Sequence, residues 1–308
     1  LSRVIVRAHA KINLCLRLLG KRPDGYHDLQ SVVQSVDLHD TLTLQRTGRG
    51  VVLEIEGDDA LSPGSDNLVV RAANRLLDGD DRLRDQGIHA RLLKRIPTGA
   101  GLGGGSSDAA AALLGVDRLL GLGLDAEHLA EDAAALGSDV PFFLSGGTAL
   151  LRGRGTEVEP LPEAPPTDVV IVSSGTSLST AAVYAQVQEP LTLAPKIDSM
   201  PGFGRIPVDL KSWVRAGNDL EPHATRLCAA IPAMKGMLLA SGATAAAMSG
   251  SGSAVFGIFD DPDAAVRAAR EAVLRGFRAW TTRTLTRKAV AEERFEAGPP
   301  QEGRPAGV

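Results

Sequence analysis

Pro97-Thr98-Gly99-Ala100-Gly101-Leu102-Gly103-Gly104-Gly105-Ser106-Ser107-Asp108, running without a break into Ala109-Ala110-Ala111-Ala112-Leu113-Leu114, is the stretch from which the rest of the chain is read. Its five glycines let the backbone turn tightly and bring bare N–H groups close to an anion. The spacing predicts a helix from about Ser106 through Leu120, whose unpaired N–H groups and positive end point into the same space. Ser106 and Ser107 add hydroxyl donors, and a triphosphate is the natural occupant. The loop lacks the Gly-Lys-Ser/Thr ending of a Walker loop. A strand precedes it and Asp125 lies near the position of a dinucleotide fold's acidic residue, so spacing alone leaves a dinucleotide site open.

Upstream, residues 3–8 and 12–18 read as strands. Ile12, Leu14, Leu16 and Leu18 alternate with Lys11, Asn13, Cys15 and Arg17, the period of a half-buried strand, which puts Lys11 and Asn13 on one face. A hairpin is expected over 41–56, turning through Thr47-Gly48-Arg49-Gly50. A helix follows with Asp66 as N-cap and Leu68, Ala72 and Leu76 as its stripe, then a strand from Ile88 to Ile96. Downstream, Asp125 caps a helix to Leu136, Ser138-Asp139-Val140-Pro141 forms a turn, and 142–158 read as strands joined at Gly146-Gly147. Four prolines at 160–166 mark a domain boundary. Beyond it come a strand (168–173), helices (180–187 and 219–240), strands (244–248 and 253–259), a helix (262–275) and a strand (277–284), together an α+β layer sandwich. The tail is rich in Pro, Gly and Glu and reads as flexible from 291.

Composition excludes several classes. At 308 residues the chain has room for two domains, and 44% apolar with 23% charged residues is an ordinary globular balance. Lys and Arg number 33 against 37 Asp and Glu, a net charge of −4 with no basic stripe, which argues against nucleic acid as partner. Cys15 and Cys228 alone allow no disulfide framework or multi-cysteine zinc site. Gly236 to Phe259 carries no charge, but five glycines and four serines make it a poor membrane span. With no signal peptide at the start, a cytoplasmic protein with no membrane partner is expected. His9, His39, His89, His128 and His223 show no ligand spacing and read as structural or surface residues, and no carboxylate cage is visible, so no dedicated metal site is expected.

Three segments together resemble the GHMP kinase superfamily. They are Ala10-Lys11-Ile12-Asn13-Leu14, the Pro97–Ser107 loop with its alanine-rich helix, and Met248-Ser249-Gly250-Ser251-Gly252-Ser253-Ala254-Val255-Phe256. Arg22-Pro23-Asp24-Gly25-Tyr26-His27-Asp28-Leu29 and Gly137-Ser138-Asp139-Val140-Pro141 narrow the resemblance to the branch that phosphorylates the 2-hydroxyl of a CDP-linked methylerythritol, on the non-mevalonate route to isoprenoid precursors. The resemblance implies a ribosomal protein S5 domain 2-like N-terminal domain (1–162) and a ferredoxin-like C-terminal domain (163–290), with ATP and CDP-methylerythritol in the cleft between them. It also implies Mg²⁺ carried in with ATP, and a monomer or weak homodimer.

Residue roles follow from the resemblance. Lys11 and Asp139 match the catalytic pair, Asp139 orienting the hydroxyl and taking its proton late, Lys11 offsetting charge on the moving phosphoryl group. Pro97 through Ser107 match the ATP loop. Tyr26 and His27 fall where the cytosine binds, Tyr184 where a second aromatic stacks, and Asn13 is expected to meet substrate polar groups. The Ser249–Ser253 loop is expected to close the cleft; Lys94 and Asn67 lie near the nucleoside or are, equally well, a solvated lysine and a helix-start residue. Alternatives are another kinase of the superfamily (mevalonate or homoserine type) and a non-catalytic nucleotide-binding module. Asp24-Gly25-Tyr26-His27 argues against the first, whose substrates offer no base to stack, and the Lys11 and Asp139 pair against the second. A dinucleotide oxidoreductase is the weakest.

Overall fold

The computed structural model describes residues 1–79, 81–83, 85–187, 196–199 and 209–296. Two long strands dominate the first half, β1 (Arg3–Lys21) and β2 (His27–Thr47), antiparallel along nearly their whole length. The two strands expected at 3–8 and 12–18 are therefore one. Its register slips between His9 and Ala10, where two extra residues of β2, Asp37 and Leu38, bulge out.

β3 (Gly50–Glu56) does follow a tight turn, but it does not pair with β2. The chain first crosses through α1 (Leu68–Asp78), and β4 (Gly87–Leu93) then inserts between β3, to which it is parallel, and β2, to which it is antiparallel. Gly87 makes the insertion possible: a Cβ there would stand 2.3 Å from the Gly48 carbonyl oxygen. The expected 41–56 hairpin is corrected accordingly, since alternation identifies strands without identifying their partners.

α2 (Gly104–Leu120) starts two residues earlier than expected, with Gly103 at φ +71° as its cap. Its alanines are buried against α1 and the β1–β2 face. The N-cap of α1 is Asn67, whose side chain accepts from the Val69 N–H, not Asp66. Asp125 caps α3 (Ala126–Leu136) as expected. Residues 142–145, expected as strand, belong to a short helix, α4 (Val140–Ser145), with Pro141 in its first turn. β5 (Thr148–Gly153) and β6 (Glu157–Pro160) complete a six-stranded sheet.

From residue 168 on, four strands form a second sheet: β7 (Asp168–Ser173), β8 (Ala245–Met248), β9 (Val255–Phe259) and β10 (Arg278–Arg283). Their spatial order is β10-β7-β9-β8 and all neighbours are antiparallel. Helices α5 (Thr180–Tyr184), α6 (Leu210–Ala216), α7 (Glu221–Leu227) and α8 (Ala230–Ala240) lie between β7 and β8, and α9 (Pro262–Leu274) between β9 and β10. The result is the split βαββαβ arrangement of a ferredoxin-like layer. The single helix expected at 219–240 is broken at Cys228, whose extended backbone ends α7.

The last helix, α10 (Arg287–Glu293), returns to the first sheet: the Arg7 N–H donates to the Arg294 carbonyl at 2.8 Å, and Phe295 bridges to Val6. Residues 291–296 are thus packed rather than trailing, and 297–308 of the expected tail lie outside the described residues. The expected half-buried pattern of 12–18 is also corrected. Lys11, Asn13 and Cys15 are as buried as Ile12 and Leu14, because this half of β1 has structure on both faces.

Candidate active site

A cleft of about 930 Å³ runs between the two layers. Lys11, Asn13, Tyr26, His27, Asp139, Tyr184 and every residue from Pro97 to Ser106 line it. Positions separated by up to 173 residues in sequence thus share one concave surface, the usual form of a small-molecule site.

The phosphate loop is shaped by backbone that only glycine adopts cheaply. Gly99, Gly101 and Gly103 have φ of +63°, +79° and +71°. The loop also needs their missing side chains. A Cβ on Gly101 would lie 2.1 Å from the Ser249 carbonyl oxygen, and one on Gly103 would lie 2.7 Å from the Phe143 ring and 3.2 Å from Lys11 Cε. The Ser249–Ser253 loop docks on it directly: Ser249 Oγ donates to the Gly101 carbonyl at 2.8 Å, and the Ala254 N–H to the Ala100 carbonyl at 3.1 Å. Gly250 and Ser251 reach the cleft wall.

Gly101→Ala is expected to force these loops apart, costing about 1–3 kcal/mol of stability and at least tenfold in turnover. Gly121→Ala provides the comparison, since Gly121 has φ +70° with open space around its Cβ position. It should lose stability only, by about 1 kcal/mol. Denaturant midpoints and steady-state rates of both variants decide the matter.

Lys11 Nζ lies 2.5 Å from Asn13 Oδ1 and 3.4 Å from Asp139 Oδ2, with Lys11 buried and Asp139 about a third exposed. Asn13 Nδ2 donates to Ser31 Oγ, which donates to the Cys15 carbonyl, both at 2.7 Å. Asn13, expected to meet substrate, thus turns its amide onto protein groups and braces Lys11, because the pleat sets the two side by side. Asp139 is delivered from the other side by the turn that opens α4.

At the other end, the Arg154 guanidinium sits 4.9 Å over the Tyr26 ring, and the His27 and Tyr184 rings are 5.2 Å apart at a 36° tilt. Tyr26 is 55% exposed, a broad aromatic surface on the cleft wall. Burial, and then the charge of Asp139, push the Tyr184 hydroxyl above its ordinary pKa, so it stays protonated. Arg154 falls outside every motif; only its Gly153-Arg154-Gly155 setting, a turn between β5 and β6, marks it.

One sequence expectation needs correcting, and of the two alternatives for Lys94 the solvated one falls, since that side chain lines the cleft while buried. Ser107 does not present its hydroxyl to the cleft; it is buried and donates to the His9 carbonyl at 2.7 Å, tying α2 to β1. Lys94 is not solvated. Its Nζ is held between Asp40 and Asp108, the latter at 2.7 Å, with all three side chains nearly or wholly buried. Asp40 also accepts the Ile96 N–H at 2.9 Å, so the triad anchors the segment entering the phosphate loop while Asp108 holds the helix leaving it. Burial opposes the Lys94 ammonium, but Asp108 and Asp40 outweigh it and raise its pKa. Burial pushes Asp108 up to about 8, against the pull of Lys94 and with the push of Asp40.

Comparison with known proteins gives the family. The GHMP kinase N-terminal family model matches residues 67–147 and the GHMP kinase C-terminal model residues 208–277. A 4-diphosphocytidyl-2-C-methyl-D-erythritol kinase of Moorella thermoacetica is 45% identical over 269 residues, spanning 85% of this chain and 92% of the relative. One from Geobacter sp. (strain M21) is 41% identical, spanning 92% and 100%. A crystal structure of a 4-(cytidine 5'-diphospho)-2C-methyl-D-erythritol kinase superposes with a TM-score of 0.74 at 36% identity, covering 91% of this chain and 98% of that one. A homoserine kinase from Cytophaga hutchinsonii, at 21% identity and TM-score 0.70, shares the fold. The chain belongs to the GHMP kinases, with their two-domain α+β fold and ATP as co-substrate. Within them its relatives at 40–45% identity are the 4-diphosphocytidyl-2-C-methyl-D-erythritol kinases. Among the described residues no helix is long and apolar enough to cross a membrane.

Proposed function

We propose that this protein transfers the γ-phosphate of ATP to the 2-hydroxyl of 4-diphosphocytidyl-2-C-methyl-D-erythritol, in the cytoplasm, on the non-mevalonate route to isoprenoid precursors. The observation that carries the reading is the order of groups along one cleft. Lys11 touches the phosphate loop at Gly103, pairs with Asp139, and Asp139 in turn stands beside Tyr184 and the Arg154 turn. A donor triphosphate on the loop and a pyrimidine at the aromatic end leave the acceptor hydroxyl between them.

In the transfer, the substrate oxygen attacks the γ-phosphorus as its bond to the β,γ-bridging oxygen breaks, and ADP leaves with that electron pair. The hydroxyl proton passes to Asp139 late, because the transition state is loose and demands little of a base. Lys11, braced by Asn13, offsets charge on the phosphoryl oxygens. Backbone N–H groups of the loop and the N-terminus of α2 receive the triphosphate. Ser106 and Asp139 are oxygen donors on the cleft wall, suited to a Mg²⁺ that takes most of its ligands from phosphate and water. Mg²⁺ bound there would neutralise phosphate charge.

ADP release by the purified protein, measured with this substrate, mevalonate and homoserine in parallel, tests the assignment. Release that depends on the cytidylyl substrate is expected; release with another alcohol instead would discard the cytosine site. Tyr26→Ala should raise the KM for the cytidylyl substrate by about 5- to 100-fold, the worth of one stacked base, and leave the KM for ATP within twofold. An equal loss toward both would sink the stacking role.

A further inference from the structure

The bulge in the β1–β2 ladder brings together three side chains that the kinase site does not use. Opposite His9 stands His39, and the two residues that the register shift expels are Asp37 and Leu38. One donor atom from each of His9, Asp37 and His39 lies within 4.8 Å of the others. We propose that this bulge is a binding site for a divalent transition-metal ion of the zinc class, ligated by His9, His39 and Asp37 and distinct from the nucleotide cleft.

The donor chemistry selects the ion. Two imidazoles and one carboxylate suit Zn²⁺, Co²⁺ or Ni²⁺ and leave a fourth position for water, whereas Mg²⁺ prefers oxygen alone. His9 supplies the independent observation. It is 4% exposed, and neither ring nitrogen makes a well-formed hydrogen bond, the Asp37 carbonyl beside it being already taken by His39 at 2.6 Å; a metal bond would relieve this costly state for a buried polar group. The His39 ring is oriented by its own Nδ1, 2.6 Å from the Asp37 carbonyl and 3.6 Å from the Asp37 carboxylate, the kind of contact that fixes a ligating ring. The same carbonyl also faces His9.

A tetrahedral zinc set has its donor atoms about 3.4 Å apart, so this cluster must close by up to about 1.4 Å. Asp37, whose side chain is nearly half exposed, and His39, a fifth exposed, have the freedom to do so. Arg7 and Arg294 face the site as well and oppose a cation. Arg7 is itself paired with Glu293 and Glu296, and Arg294 donates to the carbonyls of Leu144 and Phe143. Micromolar affinity is therefore expected, below that of a closed structural zinc site. Because the His9 carbonyl holds Ser107, an ion here would also stiffen the junction between β1 and α2.

Chelator-stripped full-length protein titrated with Co²⁺ should develop the visible absorption of a four-coordinate nitrogen/oxygen site, saturating at one equivalent. Zn²⁺ should abolish the absorption and raise the Tm. His39→Ala and Asp37→Ala, on the half-exposed strand, should fold normally and lose the band with at least tenfold weaker Zn²⁺ binding. His89→Ala and His128→Ala, which disrupt the other histidine–carboxylate pairs, should keep it. No band in the wild type at millimolar Co²⁺, or undiminished binding in His39→Ala, would overturn the site.

Discussion

Asp139→Asn is expected to lower turnover by about 10²- to 10⁴-fold, the range a positioned general base supplies. The substitution keeps size and hydrogen-bonding shape, and the side chain is about a third exposed, so the fold should be intact. What changes is the proton acceptor and the partner of Lys11. Nucleotide binding provides the control that separates chemistry from damage. Measured without Mg²⁺, the affinity for ATP should be unchanged or tighter with one negative charge fewer in the cleft, while with Mg²⁺ the rate collapses even at saturating ATP and substrate. If more than a tenth of the turnover survives, positioning by the loop and Lys11 suffices and the base assignment to Asp139 is wrong.

Lys94→Met is the other large effect, and it acts through stability first. Asp40 and Asp108 would remain in the interior without the cation between them, a loss of roughly 3–5 kcal/mol for breaking a buried ion network from one side. The second oxygen of Asp108 is already without a partner among the described residues, so Asp40 would be the polar neighbour left to this carboxyl. Adding Asp108→Asn to the lysine variant should recover part of the loss above pH 8, where Asp108 would otherwise be driven to ionise in the interior, and little near neutrality, where it already holds its proton. The pH dependence carries a sign. With Asp108 raised to about 8 from 3.8, the folded protein holds a proton that the unfolded chain has released. Stability contributed by this group is therefore lost as pH rises between those values. Denaturation midpoints at pH 5 and pH 9 should fall further in the wild type than in Asp108→Asn. An identical pH response in the two would show that Asp108 ionises normally.

Much of the site could be read from the chain alone, and the readable parts share a physical character. The phosphate loop is legible because its demands are local: left-handed backbone at Gly99, Gly101 and Gly103, and a helix start immediately after. Lys11 beside Asn13 is legible for the same reason, since two residues of strand return a side chain to the same face. The Asp125 cap and the strands of the second sheet follow from near-neighbour patterns of this kind.

What only the tertiary structure decided are the pairings between residues remote in sequence. β4 takes the place of β3 beside β2, and that choice carries Lys94 inward to Asp40 instead of outward to solvent. Arg154 reaches Tyr26 because β5 pairs with the start of β2, Gly153 opposite Leu29, and a two-residue slip in one ladder sets His9, Asp37 and His39 together. Short-range sterics and capping hydrogen bonds are specified within a few residues. Sheet order and register are set by the burial of whole faces at once, and those are properties of the assembled chain.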